Sequence, residues 1–309
     1  MKTAECGSVL ALYLTRIDAR SSDAKQKITM TGSPFTVSVE WLNEHLNDDD
    51  ISIVDASWYL PAMNRDGKVE FEIGHIPGAV FFDIDEISEP ESSLPHTLAS
   101  ADYFSAKVSE LGISNQHTIV VYDGIGLFSA ARAWWNFRIM GAAKVVILDG
   151  GFPAWLEVGF PVESGYKPRP KSSFTASIDQ QAIIDFETMK PHVATQDKQI
   201  ADARPHGRFT GQEAEPRAGV RSGHMPGARS VPASDLSENG KLKSPEKLKQ
   251  IFADAGIDLN KPVVTTCGSG VTAAIITLAL ETIGHTNHSL YDGSWSEWGG
   301  RQDTDIESG

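Results

Sequence analysis

The sequence predicts an α/β protein of two tandem domains of similar size, each a mostly parallel sheet flanked by helices. Three observations carry that prediction. A chain of 309 residues is too long for one comfortable core. Several peptides recur in the same order at one long spacing, and each copy alternates short apolar runs with helix signals. Gly74-His-Ile-Pro-Gly-Ala79 returns as Gly223-His-Met-Pro-Gly-Ala228, and Ile53-Val-Asp-Ala56 as Ile200-Ala-Asp-Ala203. Leu148-Asp-Gly-Gly-Phe-Pro-Ala-Trp155 returns as Tyr291-Asp-Gly-Ser-Trp-Ser-Glu-Trp298. The separation is roughly 145 residues, far beyond the period of a solenoid, so the repeated unit is a whole domain.

Residues 1–32 hold one apolar stretch, Val9 to Leu14, too short for a secretory core. Glu5, Asp18 and Asp23 speak against an organellar transit peptide, so a disordered N-terminal extension is expected, with Met30 a plausible natural start. The first domain is expected over 33–161. Ser38 precedes Val39, Trp41, Leu42 and Leu46 as a helix cap would, and Ile51–Val54 and Thr118–Tyr122 read as buried strands. In this copy the pair Trp134-Trp135 follows Arg132 in an apolar helix and reads as core. Residues 162–177, rich in Pro, Lys and Ser, read as an exposed linker. The second domain is expected over 178–309, with strands at Gln199–Ala201 and Pro262–Thr266. Ser244-Pro245 opens a helix through Leu248, Ile251 and Phe252. Ala273 to Thr282 is apolar on nearly every face and is followed by Gly284, the pattern of a buried helix with a glycine stop.

Composition narrows the function. A formal charge of −14, with no basic cluster beyond Lys241-Leu-Lys243, argues against nucleic acid. No apolar run approaches the ~20 residues that span a bilayer, so no membrane partner is expected. Two cysteines, Cys6 and Cys267, are too few for a disulfide framework, and a reducing, cytoplasmic setting is expected. His285-Thr-Asn-His288 has metal-like spacing but no further ligands beside it, so neither a metal nor an organic cofactor is expected.

The chemistry concentrates in Pro262-Val-Val-Thr-Thr-Cys267-Gly-Ser-Gly-Val-Thr272, which passes from a strand through small residues into the buried helix. Ligand sites of parallel sheets lie where strands give way to helices. Gly268 and Gly270 permit a loop whose N–H groups point inward, an anion cradle at a helix N-terminus that favours negative charge on a sulfur. An isolated cysteine is ordinarily a small buried hydrophobe. Two glycines and two hydroxyl residues packed around it are not explained that way.

These segments resemble the rhodanese superfamily, over about residues 35–305. The loop Cys-Gly-Ser-Gly-Val-Thr and the closing Asp-Gly-Ser-Trp-Ser-Glu-Trp are similar, more narrowly, to the 3-mercaptopyruvate sulfurtransferases. The resemblance implies Cys267 as the residue that carries sulfur as a persulfide, with Gly268, Ser269, Gly270, Val271 and Thr272 around the bound donor. It implies two carboxylate-binding arginines after the Asp-Ala-Arg segment, here Arg208 and Arg217, with Arg208 favoured. It also implies a Ser-His-Asp relay, for which Ser269, His75 and Asp66 are the candidates; a shared structural job for His75 and its counterpart His224 competes with that reading. The donor implied is 3-mercaptopyruvate, and the acceptors are cyanide, a small thiol or reduced thioredoxin. Thiosulfate sulfurtransferases carry basic residues directly after the cysteine, where this chain has Gly268 and Ser269. A thiosulfate donor, or a non-enzymatic persulfide carrier or sensor, stands as the alternative. The first copy has Asp123 in place of the cysteine and is expected to be catalytically silent.

Overall fold

The computed structural model describes residues 32–309. All but the last residue of the expected N-terminal extension, and with it Cys6, lie outside the described residues. Each repeat folds into a five-stranded sheet. The first consists of β1 (Thr36–Val37), β2 (Ile51–Asp55), β3 (Val80–Phe81), β4 (Thr118–Tyr122) and β5 (Lys144–Leu148). The second consists of β6 (Ile183–Ile184), β7 (Gln199–Asp202), β8 (Arg229–Ser230), β11 (Val263–Thr266) and β12 (His288–Tyr291). A short antiparallel hairpin, β9 (Ser237–Glu238) and β10 (Lys241–Leu242), stands beside the second sheet, and the antiparallel bridge Ser88–Leu98 lies in the matching segment of the first repeat.

The two sheets run in the orders β1-β5-β4-β2-β3 and β6-β12-β11-β7-β8, the same permutation twice, and every pairing within them is parallel. Parallel strands are covered on both faces, and for that reason the central ones read as continuous apolar runs. The predicted caps are in place. Ser38 accepts a hydrogen bond from the N–H of Trp41 at the helix Val39–Glu44, and Ser244 does the same for Lys247 at Pro245–Asp254. The helix Ala273–Thr282 is buried from Ala273 through Leu280, and Gly284 after it takes φ +82°, which only glycine adopts freely.

The helices that follow the two equivalent loops, Ser129–Ile139 and Ala273–Thr282, pack on each other between the sheets. Trp134, Phe137 and Ala130 of one and Ile275, Leu278 and Ala279 of the other belong to a single apolar core. The domains therefore meet through buried surface at their loop ends, which positions the site below. Residues 162–177 contain no regular element, yet they are laid down on the first repeat. Phe174 is buried among Phe104 and Phe137, and the N–H groups of Ser172 and Ser177 donate to the carbonyls of Ser109 and Met140. One buried aromatic and these backbone bonds anchor a polar stretch.

Candidate active site

The loop after β11 is built as an enclosed turn. Gly270 stands at φ +79°, so this glycine is required by the backbone itself. Gly268 has a different reason. A Cβ there would lie 3.1 Å from Nη2 of Arg208, so its absence leaves room for the guanidinium. The short helix Ser294–Trp298 after β12 braces the turn: Trp295 N–H donates to the Cys267 carbonyl (2.9 Å) and Ser296 N–H to the Gly268 carbonyl (2.8 Å). The Ser296 hydroxyl donates to the same Gly268 carbonyl (2.6 Å), and the Cys267 N–H donates to Ser294 Oγ (3.3 Å). Cys267 is almost wholly buried, as is Ser269. Val271 packs into the shared core, so its side chain faces away from solvent, while Thr272 is the residue before the helix.

A Ser-His-Asp chain of contacts runs from Ser269, but through His96 and Asp85 and not through His75 and Asp66. Ser269 Oγ lies 2.9 Å from His96 Nδ1, and His96 Nε2 lies 2.9 Å from Asp85 Oδ1. A carboxylate can only accept, so Nε2 carries its proton, and in the neutral imidazole Nδ1 accepts from the Ser269 hydroxyl. Trp58 completes the arrangement: its indole Nε1 donates to Asp85 Oδ2 (3.0 Å) and its ring meets His96 edge-on with centroids 4.7 Å apart. The bond to His96 is the largest cause holding the Asp85 carboxyl below its ordinary value; Trp58 and Arg217 act in the same direction, and burial opposes them.

His75 and Asp66 are thus corrected as relay members. His75 is buried, stacks on Phe71 at 3.9 Å and makes its Nδ1 contact with the Phe71 carbonyl (2.7 Å), while its backbone pairs with Glu163. Its repeat partner His224 does the same with Phe209 and Glu307. Two copies doing one job mark a structural histidine. Asp66 caps the helix Gly67–Ile73 by accepting from the N–H of Val69 (3.0 Å).

The residues missed had a signal in the repeat. His96-Thr-Leu-Ala-Ser100 matches Gly240-Lys-Leu-Lys-Ser244, each ending on a helix-capping serine. Gly240 adopts φ +72°, and His96 is held at φ +60° in the same slot. A histidine where its duplicate needs glycine costs of order 1–3 kcal/mol of backbone strain, which persists where function requires the side chain.

Two cations line the site beside the cysteine. Arg208 directs Nε and Nη2 at Glu215, which also takes Nη1 of the buried Arg204. Arg204 itself grips Asp202 and the Gly223 carbonyl, so it is structural. Arg217 donates from Nη1 to Ser296 Oγ (3.2 Å), and among the described residues no carboxylate stands within ion-pair distance of it. Burial is the largest influence on its guanidinium and lowers it from the ordinary value; Cys267 opposes that lowering and Arg208 adds to it. Of the two, Arg217 is the one left with a charge to satisfy.

In the first repeat the equivalent loop is filled by its own side chain. Asp123 accepts from the N–H groups of Ile125, Gly126, Phe128 and Ala130, each at 2.8 Å. The cradle is present there, and the aspartate carboxylate occupies it.

A protein-family model described as "Rhodanese-like domain" matches residues 38–158 and again 186–301. "Thiosulfate/3-mercaptopyruvate sulfurtransferase 1, mitochondrial" of Arabidopsis thaliana is 40% identical over 322 residues, 96% of this chain and 84% of its own. The 3-mercaptopyruvate sulfurtransferase of Escherichia coli (strain K12) is 42% identical over 272 residues, 88% of this chain and 97% of its own. Among solved structures, SseA, the 3-mercaptopyruvate sulfurtransferase of Escherichia coli, superimposes with a TM-score of 0.79 at 40% identity, covering 84% of this chain and 98% of its own.

Proposed function

The chain belongs to the rhodanese-like family as a tandem pair of domains, and from that premise we propose that it transfers sulfur from 3-mercaptopyruvate through a persulfide on Cys267. Arg217 and Arg208 hold the donor carboxylate, Arg217 foremost because it has charge to spare. The Cys267 thiolate attacks the donor sulfur, forming the S–S bond as the C–S bond breaks. The electron pair passes to the departing carbon as pyruvate enolate. The loop N–H groups stabilise the developing charge. His96 Nδ1, through the Ser269 hydroxyl, takes the donor's S–H proton as the persulfide forms and returns it to the enolate carbon, giving pyruvate and leaving the Cys267 persulfide as its anion. In the second half-reaction a nucleophilic acceptor, such as cyanide, a small thiol or reduced thioredoxin, attacks the outer sulfur and restores the thiolate. A cytoplasmic setting, where reducing thiols keep Cys267 available, belongs to the same reading.

The observation that carries the proposal is the joining of Cys267 and Ser269 from one repeat with His96 and Asp85 from the other. A proton relay fits a donor whose leaving group needs a proton. Thiosulfate leaves as sulfite and has no such need; the second reading, thiosulfate as donor, rests on the named relative that covers both. The test is kcat/KM for the two donors. Mercaptopyruvate is expected to be preferred, and Arg217→Ala is expected to lower its kcat/KM about ten- to a hundredfold. A wild-type preference for thiosulfate would overturn the assignment of donor.

A further inference from the structure

The relay joins two domains, so something must hold its halves in register. Arg132, on the helix Ser129–Ile139 of the first repeat, is fully buried and aims its guanidinium across the interface. Nη2 donates to the His96 carbonyl (2.7 Å) and to Asp292 Oδ1 (2.6 Å), and Nη1 donates to the Gly270 carbonyl (3.3 Å). Its flat face lies over the Trp135 ring at 4.5 Å. Asp292, just after β12, accepts the Leu98 N–H on its other oxygen (2.7 Å). The histidine segment is therefore gripped twice, through the His96 carbonyl by Arg132 and through the Leu98 N–H by Asp292. The nucleophile loop is gripped by the same guanidinium at Gly270, where a Cβ would come within 2.6 Å of Nη1.

We propose that Arg132 is a positioning residue for sulfur transfer, clamping the left-handed His96 and the Cys267 loop into the register that the Ser269–His96 hydrogen bond requires. The proposal rests on the relay reading above. Three features support it beyond proximity. A buried arginine is costly to desolvate and here is offset by one aspartate, two carbonyls and an aromatic face. His96 sits in a backbone conformation that needs holding. The pseudo-symmetric side, where Asp123 replaces the cysteine, is built otherwise: Asp149, the repeat partner of Asp292, takes the Thr36 hydroxyl (3.3 Å), and Gly240 stands where His96 does. Lysine cannot substitute, because a single ammonium does not span acceptors in two segments with a planar fork.

The test is a double-mutant cycle on the full chain with mercaptopyruvate as donor. Arg132→Lys keeps the charge opposite Asp292 and should lower kcat about ten- to a hundredfold, the scale of a lost charge-assisted hydrogen bond or a reacting group displaced by about 1 Å. KM should change less than about threefold, since the donor carboxylate is held by other arginines. In a His96→Ala background the same substitution should cost nothing further. Asp292→Asn keeps the shape and the acceptor for Leu98, loosens the clamp from the other domain, and should show the same collapse of its effect, which covers the case of a Lys variant that does not fold. If His96→Ala is slow but either clamp substitution still lowers kcat by its full factor in that background, the relay stands and the clamp is wrong. A wild-type kcat in Arg132→Lys overturns the clamp as well. If His96→Ala itself turns over normally, the relay falls and takes the clamp with it.

Discussion

At the scale of single residues, what could be read in the sequence was set by how local the signal is. Cys267 announces itself because its glycines and hydroxyl residues are its neighbours in the chain, and Arg208 and Arg217 follow a strand end that the repeat identifies. The relay histidine does not, since its partner lies 173 positions away and only the docking of the two repeats joins them. His75 is the relay histidine that the resemblance implies, and its place in the duplicated peptide is the argument against it. Duplication is the mark of a shared structural task, and a residue used once is better sought where the copies differ, as His96 and Gly240 do. The two histidines therefore separate cleanly in experiment. His96→Asn should lower kcat by at least about tenfold with little change in melting temperature, as loss of a general acid–base group does. His75→Asn should leave kcat within about twofold and lower the melting temperature, because a buried ring stacked on Phe71 is lost. The reverse pattern would restore the pairing of Ser269 with His75.

At the scale of elements, the strands and helices were legible because the periodicities and caps are strong, and the loops after β4 and β11 show the limit. Sequence comparison places Asp123 opposite Cys267, yet only the structure shows that its carboxylate satisfies four N–H groups of its own cradle. A second difference lies at the ends of β2 and β7. Asp202 is neutralised by Arg204, whereas the matching Asp55 has Ser57 two residues on and lies fully inside the first sheet. Burial is the dominant cause that pushes the Asp55 carboxyl up to about 7, against its bonds to Ser57 and Tyr122. The folded chain then holds a proton that the unfolded chain releases near its ordinary value of 3.8. That contribution to stability is fully present below about pH 4 and is lost as pH rises towards about 7. Asp55→Asn, which copies the protonated acid, should gain on the wild type across that window. Melting temperatures of both proteins as a function of pH measure the difference. A gap that stays constant over the window would contradict the buried, protonated state.

At the scale of the molecule, the duplication was readable from three peptide pairs, and the parallel sheets from the apolar runs between helix signals. The assembly of the repeats was not, because the core they share is formed by helix faces apolar all round, which reveal burial and not partner. The consequence is a division of labour. In the proposed mechanism one repeat supplies the sulfur carrier and the donor arginines, and the other, which holds Asp123 in its own loop, supplies Asp85, His96, Trp58 and Arg132. The central claim is that Cys267 carries the sulfur in this shared site, and intact-protein mass spectrometry after mercaptopyruvate, with pyruvate measured in the same samples and no acceptor present, tests it directly. The wild type should gain a single sulfur on the peptide containing Cys267 and release one pyruvate for each persulfide formed, while a folded Cys267→Ser protein should do neither. Stoichiometric pyruvate release by the serine protein, or a sulfur carried elsewhere in the chain, would contradict the account.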